Sequence, residues 1–159
     1  MDRFHRIVSN ESKLVQIIWA GKPYPMDYAQ IGVFDNIVNV CKKYSNCSTV
    51  VGYELKISRL LKQGADIWLN TPRFTHEASG TSGMTAVMNG SINFSLPDGW
   101  VPEFAKDKQN SFVIAPADDE LPQHDRDMLE AKTLMDILDN TIRPMYYKDQ
   151  KKWVSIIRK

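Results

Sequence analysis

The chain has 159 residues, with 20 basic and 19 acidic side chains, so it carries almost no net charge. That length suits one domain with a real core. The balanced charge, with no basic tract interleaved with aromatics, argues against a nucleic-acid partner. No apolar run reaches membrane-spanning length, which argues against a membrane protein. The opening "MDRFHRIVSNES" does not read as a signal peptide. Cys41 and Cys47 are the two cysteines and read first as ordinary thiols, which fits a reduced, cytoplasmic setting, with a structural disulfide between them as the lesser alternative. His5, His76 and His124 are scattered, and no spacing suggests a metal site.

In chain order, "KLVQIIWAG" (Lys13 to Gly21) reads as a buried strand closed by glycine. "KPYP" is a loop, and Asp27 caps a helix that runs to about Lys43, with Ile31, Phe34, Ile37, Val38 and Cys41 at helical spacing. A second buried strand falls near Ser48 to Val51. A helix follows from Leu55 to Gln63 with Ile57, Leu60 and Leu61 on its apolar side, and then a third strand at Ala65 to Asn70. A short helix is expected from Gly83 to Asn89, a fourth strand at Ser91 to Ser95, and a weak strand within Asn110 to Pro116. The stretch from about 120 to 159 is a helical terminal segment. Met128, Leu129, Leu134, Met135, Ile137 and Leu138 form its first apolar face, and a last helix starts near Asp149. Trp68 reads as core and Trp153 as helix packing.

Strand, helix, strand, helix, strand argues for an α/β fold with a parallel sheet of four or five strands and flanking helices. The alternation is Rossmann-like, although no G-x-G-x-x-G stands at the first turn. The abrupt lead-in suggests a chain that begins inside a larger protein.

The stretch "EASGTSGMTAVMNGSINFSLPDGW", Glu77 to Trp100, holds the chemistry. A parallel sheet binds ligands beyond the carboxyl ends of its strands, and the run from Asn70 to Gly83 lies at such an end. Gly80 and Gly83 permit tight backbone and close approach. Ser79, Thr81 and Ser82 offer hydroxyls, and the following helix turns N–H groups toward the loop, which suits an anion. Glu77 suits sugar hydroxyls better than phosphate. The same residues also fit a loop whose glycines serve tight turns and whose polar side chains serve caps. Asp98 and Trp100 fit an Asx-capped turn with the indole on the sheet. Glu103, Tyr53, Glu54, Tyr24 and Pro25 sit where a ligand-side placement follows from the strand ends. Glu77 with Asp98 could also be a glycosidase carboxylate pair.

The run "EASGTSGM" followed by "AVMNGSINFSLPDGW" resembles the signature of the α-glucan phosphorylase family, the glycogen, starch and maltodextrin phosphorylases. "VQIIWAGKPYP" and "LLKQGADIWLNTPRFTHEASGTSGM" resemble two further motifs of that family. The resemblance covers roughly Val15 to Glu103 well. It implies the two-domain GT-B fold, with residues 1–159 as a single Rossmann-like C-terminal domain and the N-terminal domain missing. It implies phosphate-dependent cleavage of α-1,4-glucan to glucose 1-phosphate, pyridoxal phosphate as cofactor, and a homodimer of the full protein.

By resemblance, Glu77 and Ser79 bond glucosyl hydroxyls, the Gly80 backbone donates to the same sugar, and Thr81 contacts substrate phosphate. Asp98 joins the substrate side and Gly83 the cofactor side. Thr85 is the departure. In the family the residue after this methionine is the lysine that forms the Schiff base with the cofactor, and threonine has no amine. Lys22 belongs to another motif, and "RFHR" (Arg3 to Arg6) is a poor substitute for the family's basic phosphate-binding run. With the cleft incomplete, the isolated chain is expected to be inactive. Two alternatives follow from the departure. One is a nucleotide-sugar-dependent glucan transferase, and the other is a catalytically inactive glucan-binding module.

Overall fold

The computed structural model describes residues 3–10, 12, 14–52, 54–77 and 79–159. The chain forms two compact units, Met1–Ser58 and Arg59–Lys159.

The first unit is built on one crossover. Strands β1 (Ile17–Gly21) and β2 (Cys47–Val51) run parallel, with Ile17 opposite Cys47 and Gly21 opposite Val51. Parallel neighbours need a long connection, and helix α2 (Tyr28–Cys41) supplies it. Asp27 caps that helix by accepting the Gln30 N–H at 2.9 Å. The expected apolar spacing holds: Ile31, Phe34, Ile37 and Val38 are half-buried and Cys41 is buried. A short helix the sequence patterning did not reveal, α1 (Arg3–Val8), precedes β1. Asn46 ties this region together, its amide donating to the carbonyls of Val8 and Val15 at 2.9 Å each.

Two expectations change in this unit. The first strand begins at Ile17, not Lys13, and the second at Cys47, and neither is buried: Ile18 and Trp19 remain 47% and 36% exposed and Val51 69%. A ladder of two strands offers too little cover for both of its faces. Cys41 and Cys47 are not separate thiols. One closes α2 and the other opens β2, the turn between them brings their Cα atoms to 5.0 Å, and they are joined as a disulfide.

Helix α3 (Leu55–Gly64) leads into the second unit. There β3 (Ile67–Asn70), β4 (Ile92–Ser95) and β5 (Ser111–Val113) form a parallel sheet in sequential order, with Ile67 opposite Ile92 and Asn93 opposite Ser111. Every strand pair is therefore parallel, but the strands fall into two sheets and not the single sheet expected. Every residue of β4 is buried, as befits a central parallel strand covered on both faces.

Four helices and a π-helical turn complete this unit after the short α4 (Thr81–Val87). They are α5 (Val101–Phe104), α6 (Gln123–Ile137), the turn Leu138–Ile142, α7 (Arg143–Lys148) and α8 (Gln150–Ile157). Phe94 meets Phe112 edge-on at 6.3 Å, and Phe112 stacks on Trp153 at 6.4 Å. Trp153 in turn takes Tyr146 edge-on at 5.0 Å, so it packs the last helix as expected. Asp149 caps α8 by accepting the Lys152 N–H at 3.0 Å. In α6, Met135 is buried, but Met128 and Leu129 are 46% and 47% exposed, against the sequence expectation. In its first turns this helix covers Gln123, Arg126 and Glu130 instead of Met128 and Leu129.

The turn after α6 carries a buried charge. Arg143, 3% exposed, donates from Nη1 to Asp139 Oδ1 at 2.6 Å. Removing the carboxylate from Asp139 takes this acceptor away from a guanidinium that water does not reach. Asp139→Ala should therefore lower stability by about 3 kcal/mol in urea denaturation, whereas exchanging the exposed Lys132–Asp136 pair should cost little.

Tyr146 offers a second test. The Asp66 carboxylate beside it, helped by partial burial and by Tyr147, holds its phenol above the ordinary value of 10.0. A raised folded-state value means that folding favours the protonated phenol. The contribution is complete below the ordinary value and is lost as pH rises through the folded one. Phenolate absorbance should show one late-titrating tyrosine, and Asp66→Asn should return it toward the ordinary range.

Candidate functional site

The strands of the second unit deliver Asn70, Ser95 and Val113 to one end of the sheet, where a parallel fold gathers its ligand-facing loops. Two of those loops are fastened together. Asp98, in the turn after β4, accepts the Glu77 N–H on Oδ2 at 3.0 Å and the Gly99 N–H on Oδ1 at 2.9 Å. Two residues further on, the Trp100 N–H donates to the Ser79 carbonyl at 3.0 Å. Both carboxylate oxygens of Asp98 thus hold backbone.

Glycine is required where these loops touch. Gly99 has φ 57°, and a Cβ there would stand 2.5 Å from the Ser79 oxygen. The Trp100 indole lies under the other loop: a Cβ on Gly80 would come 3.2 Å from its Cδ1, and one on Gly83 3.1 Å from its Nε1. Gly80, with φ 82°, is also the left-handed cap of α4, its carbonyl accepting the Gly83 N–H at 3.0 Å. The G-x-x-G spacing therefore serves packing against an indole as well as a tight turn.

The polar groups face outward from this frame. Glu77 is half-buried, with Oε2 3.5 Å from the Asn70 amide nitrogen. Ser79, Thr81 and Ser82 are exposed. The arrangement presents one carboxylate and three hydroxyls on a backbone tied at Glu77 and Ser79, which matches a polyhydroxylated ligand with an anionic group. Helix α4 is shorter than two turns and makes a weak dipole, so the hydroxyls carry more of that argument than its N-terminus.

Thr85 bears on the cofactor. Its hydroxyl is turned back on its own helix, toward the carbonyls of Thr81 at 3.1 Å and Ser82 at 3.0 Å. It carries no amine, so position 85 does not fit covalent attachment of pyridoxal phosphate, and no step below runs through that group.

The structure brings Glu77, Ser79, Gly80, Thr81, Gly83 and Asp98 into one neighbourhood. Glu103 is exposed on α5. Lys22, Tyr24, Pro25 and Glu54 belong to the first unit, and Tyr53 lies outside the described residues. Beside the loop, a cavity of about 330 Å³ opens at the same strand ends, with Thr71, Arg73, Asp127 and Glu130 among its walls. Among the described residues, no helix is long and apolar enough to cross a membrane.

Sequence reasoning passed over Asn70, which meets Glu77, and Asn93. The latter is 1% exposed, with its Oδ1 3.7 Å from the place a Gly83 Cβ would take. Its Nδ2 is buried with no hydrogen-bond partner among the described residues. An asparagine between two large apolar residues of a central strand is the signal that could have found it.

Parallel sheets with flanking helices and strand-end loops of this kind define a Rossmann-like module related to the GT-B fold. The catalytic domain of starch synthase IV from Arabidopsis thaliana, in a structure bound to ADP and acarbose, matches it with a TM-score of 0.58. That match takes in 98% of this chain and 35% of that one at 15% identity, a likeness of fold alone. No family model matches the chain. Sequence relatives do. A glycogen phosphorylase of Mycobacterium tuberculosis is 33% identical over 165 residues, and a maltodextrin phosphorylase of Thermococcus litoralis is 35% identical over 163. Each alignment takes in 99% of this chain and 19% of the relative. An uncharacterized protein of Methanocaldococcus jannaschii is 44% identical over 144 residues, 90% of this chain and 26% of that protein. The chain thus matches a segment of α-glucan phosphorylase family members along nearly its whole length, while spanning only about a fifth to a quarter of the curated relatives.

The contact at Gly99 can be tested directly. Gly99→Ala should cost about 3 kcal/mol in urea denaturation, from the left-handed backbone and the forced contact with Ser79 together.

Proposed function

We propose that this chain is the C-terminal, Rossmann-like half of a two-domain GT-B enzyme. On this reading the enzyme transfers glucose from the non-reducing end of an α-1,4-glucan to inorganic phosphate. The Glu77–Thr81 loop carries the reading. Glu77 accepts hydrogen bonds from sugar hydroxyls, Ser79 and the Gly80 N–H hold the same glucosyl unit, and Thr81 meets the phosphate. Charge-assisted bonds from a fixed carboxylate would fix the ring's orientation before transfer. The family match and the outward-facing groups of this loop support the assignment. On this view an opposing domain closes the cleft against water, and the 159 residues by themselves are inactive.

Thr85 favours one second reading. A scaffold with threonine where the family has its imine-forming lysine fits a transferase that uses a nucleotide sugar to extend glucan. Turnover of the complete protein in which the chain occurs separates the two. It should form glucose 1-phosphate from glycogen and inorganic phosphate, assayed with and without added pyridoxal phosphate. Glu77→Gln should lower kcat/KM by roughly tenfold to a hundredfold, the worth of a hydrogen bond to a charged group. Glucan extension from a nucleotide sugar, with no glucose 1-phosphate formed, would select the second reading. Binding of glucan with neither reaction would leave an inactive glucan-binding module.

A further inference from the structure

The family resemblance puts Asp98 among the groups that bind substrate, but its surroundings point elsewhere. Its carboxylate is already engaged twice, with the N–H groups of Glu77 and Gly99. Trp100 adds a third tie through the Ser79 carbonyl, and its ring fills the space beneath Gly80 and Gly83. One turn therefore grips the backbone at Glu77, Ser79, Gly80 and Gly83, the stretch that presents the polar groups. The segment's own ties are backbone turns, the His76 N–H on the Arg73 carbonyl at 2.9 Å and the Gly83 N–H on that of Gly80 at 3.0 Å, while Glu77 Oε2 lies 3.5 Å from Asn70, a long contact.

We infer that Asp98 and Trp100 are positioning residues, a clasp that sets the backbone of the Glu77–Thr81 loop, and that Asp98 acts on substrate only through that loop. The clasp rests on the reading of the loop as a sugar and phosphate site for its purpose, but not for its geometry. A carboxylate suits this role because it accepts two N–H groups at once from a single planar head, and each charge-assisted bond is stronger than its neutral counterpart. The indole complements it, since a flat ring can lie along two glycines without a Cβ between. The charge that looks available for catalysis is thus held on peptide groups.

Two measurements decide this separately. In the 159-residue chain, amide hydrogen exchange reads the clasp with no ligand present. Asp98→Ala should speed exchange at the Glu77 and Gly99 N–H groups at least tenfold. Asp98→Asn, the gentler change, keeps one acceptor oxygen and should fall between Asp98→Ala and the parent. Trp100→Phe should leave those two amides slow and speed exchange within Gly80 to Gly83. Unchanged Glu77 exchange in both Asp98 variants would overturn the clasp.

In the complete protein, Asp98→Ala should raise KM for maltoheptaose about tenfold with a smaller change in kcat, and Asp98→Asn should recover part of the loss. A loop that loosens without any change in KM would overturn its positioning role. If the unaltered complete protein forms no glucose 1-phosphate, the phosphorylase reading fails, and the exchange data still decide whether Asp98 and Trp100 hold the loop.

Discussion

One carboxylate accepting two backbone N–H groups organises the end of the second unit where the loops leaving β3 and β4 meet. Asp98 draws Glu77 and Gly99 to a single point, and the Trp100 N–H closes on Ser79 next to it. Without that junction the segment between β3 and α4 would be a long irregular connection, and such connections are mobile unless tied down. With it, three unrelated requirements converge on the same few residues. Gly99 needs a left-handed backbone, Gly80 and Gly83 need to admit an indole, and Glu77 needs a fixed main chain under its side chain. Each is a local demand, and the turn after β4 meets all of them.

The junction depends in turn on β4. A one-residue slip of β4 would drive Ile92 and Phe94 into the space packed around Asn93 and Ser95, so the turn that follows it is held where the sheet ends. Phe112, Trp153 and Tyr146 extend that anchorage from β5 through α8 to α7. The Arg143–Asp139 pair sits at the π-helical turn of the same support, where the helix changes its winding.

Much of the fold could be read from the residues, and the misses share a cause. The α/β alternation, the cap at Asp27, the inward stripe of α2 and the packing role of Trp153 all follow from local spacing or from one residue's chemistry. What local spacing does not encode is cover. Ile18, Trp19, Met128 and Leu129 have the right period for burial, but their exposure depends on whether another element lies across them. The cysteine pairing ranked below free thiols for a related reason: six positions apart on a line, they meet only because a helix ends and a strand begins between them. At the candidate site, residue types singled out the Glu77–Thr81 loop, and chain reversal at Gly99 placed Asp98 beside it. The identity of Asp98's partners could not be read, because backbone N–H groups are the same at every position. The tie from Trp100 was hidden in the same way.

Sequential strand order has a consequence for how this unit comes to exist. Each strand of the second sheet pairs with the next one along the chain, β3 with β4 and β4 with β5. No strand must wait for a distant segment before it finds its neighbour. Loop closure then costs entropy in small steps, which keeps folding fast for a parallel sheet. The Asp98 carboxylate meets the Glu77 N–H only where β4 lies against β3, so the strand pairing that builds the sheet also brings this junction together.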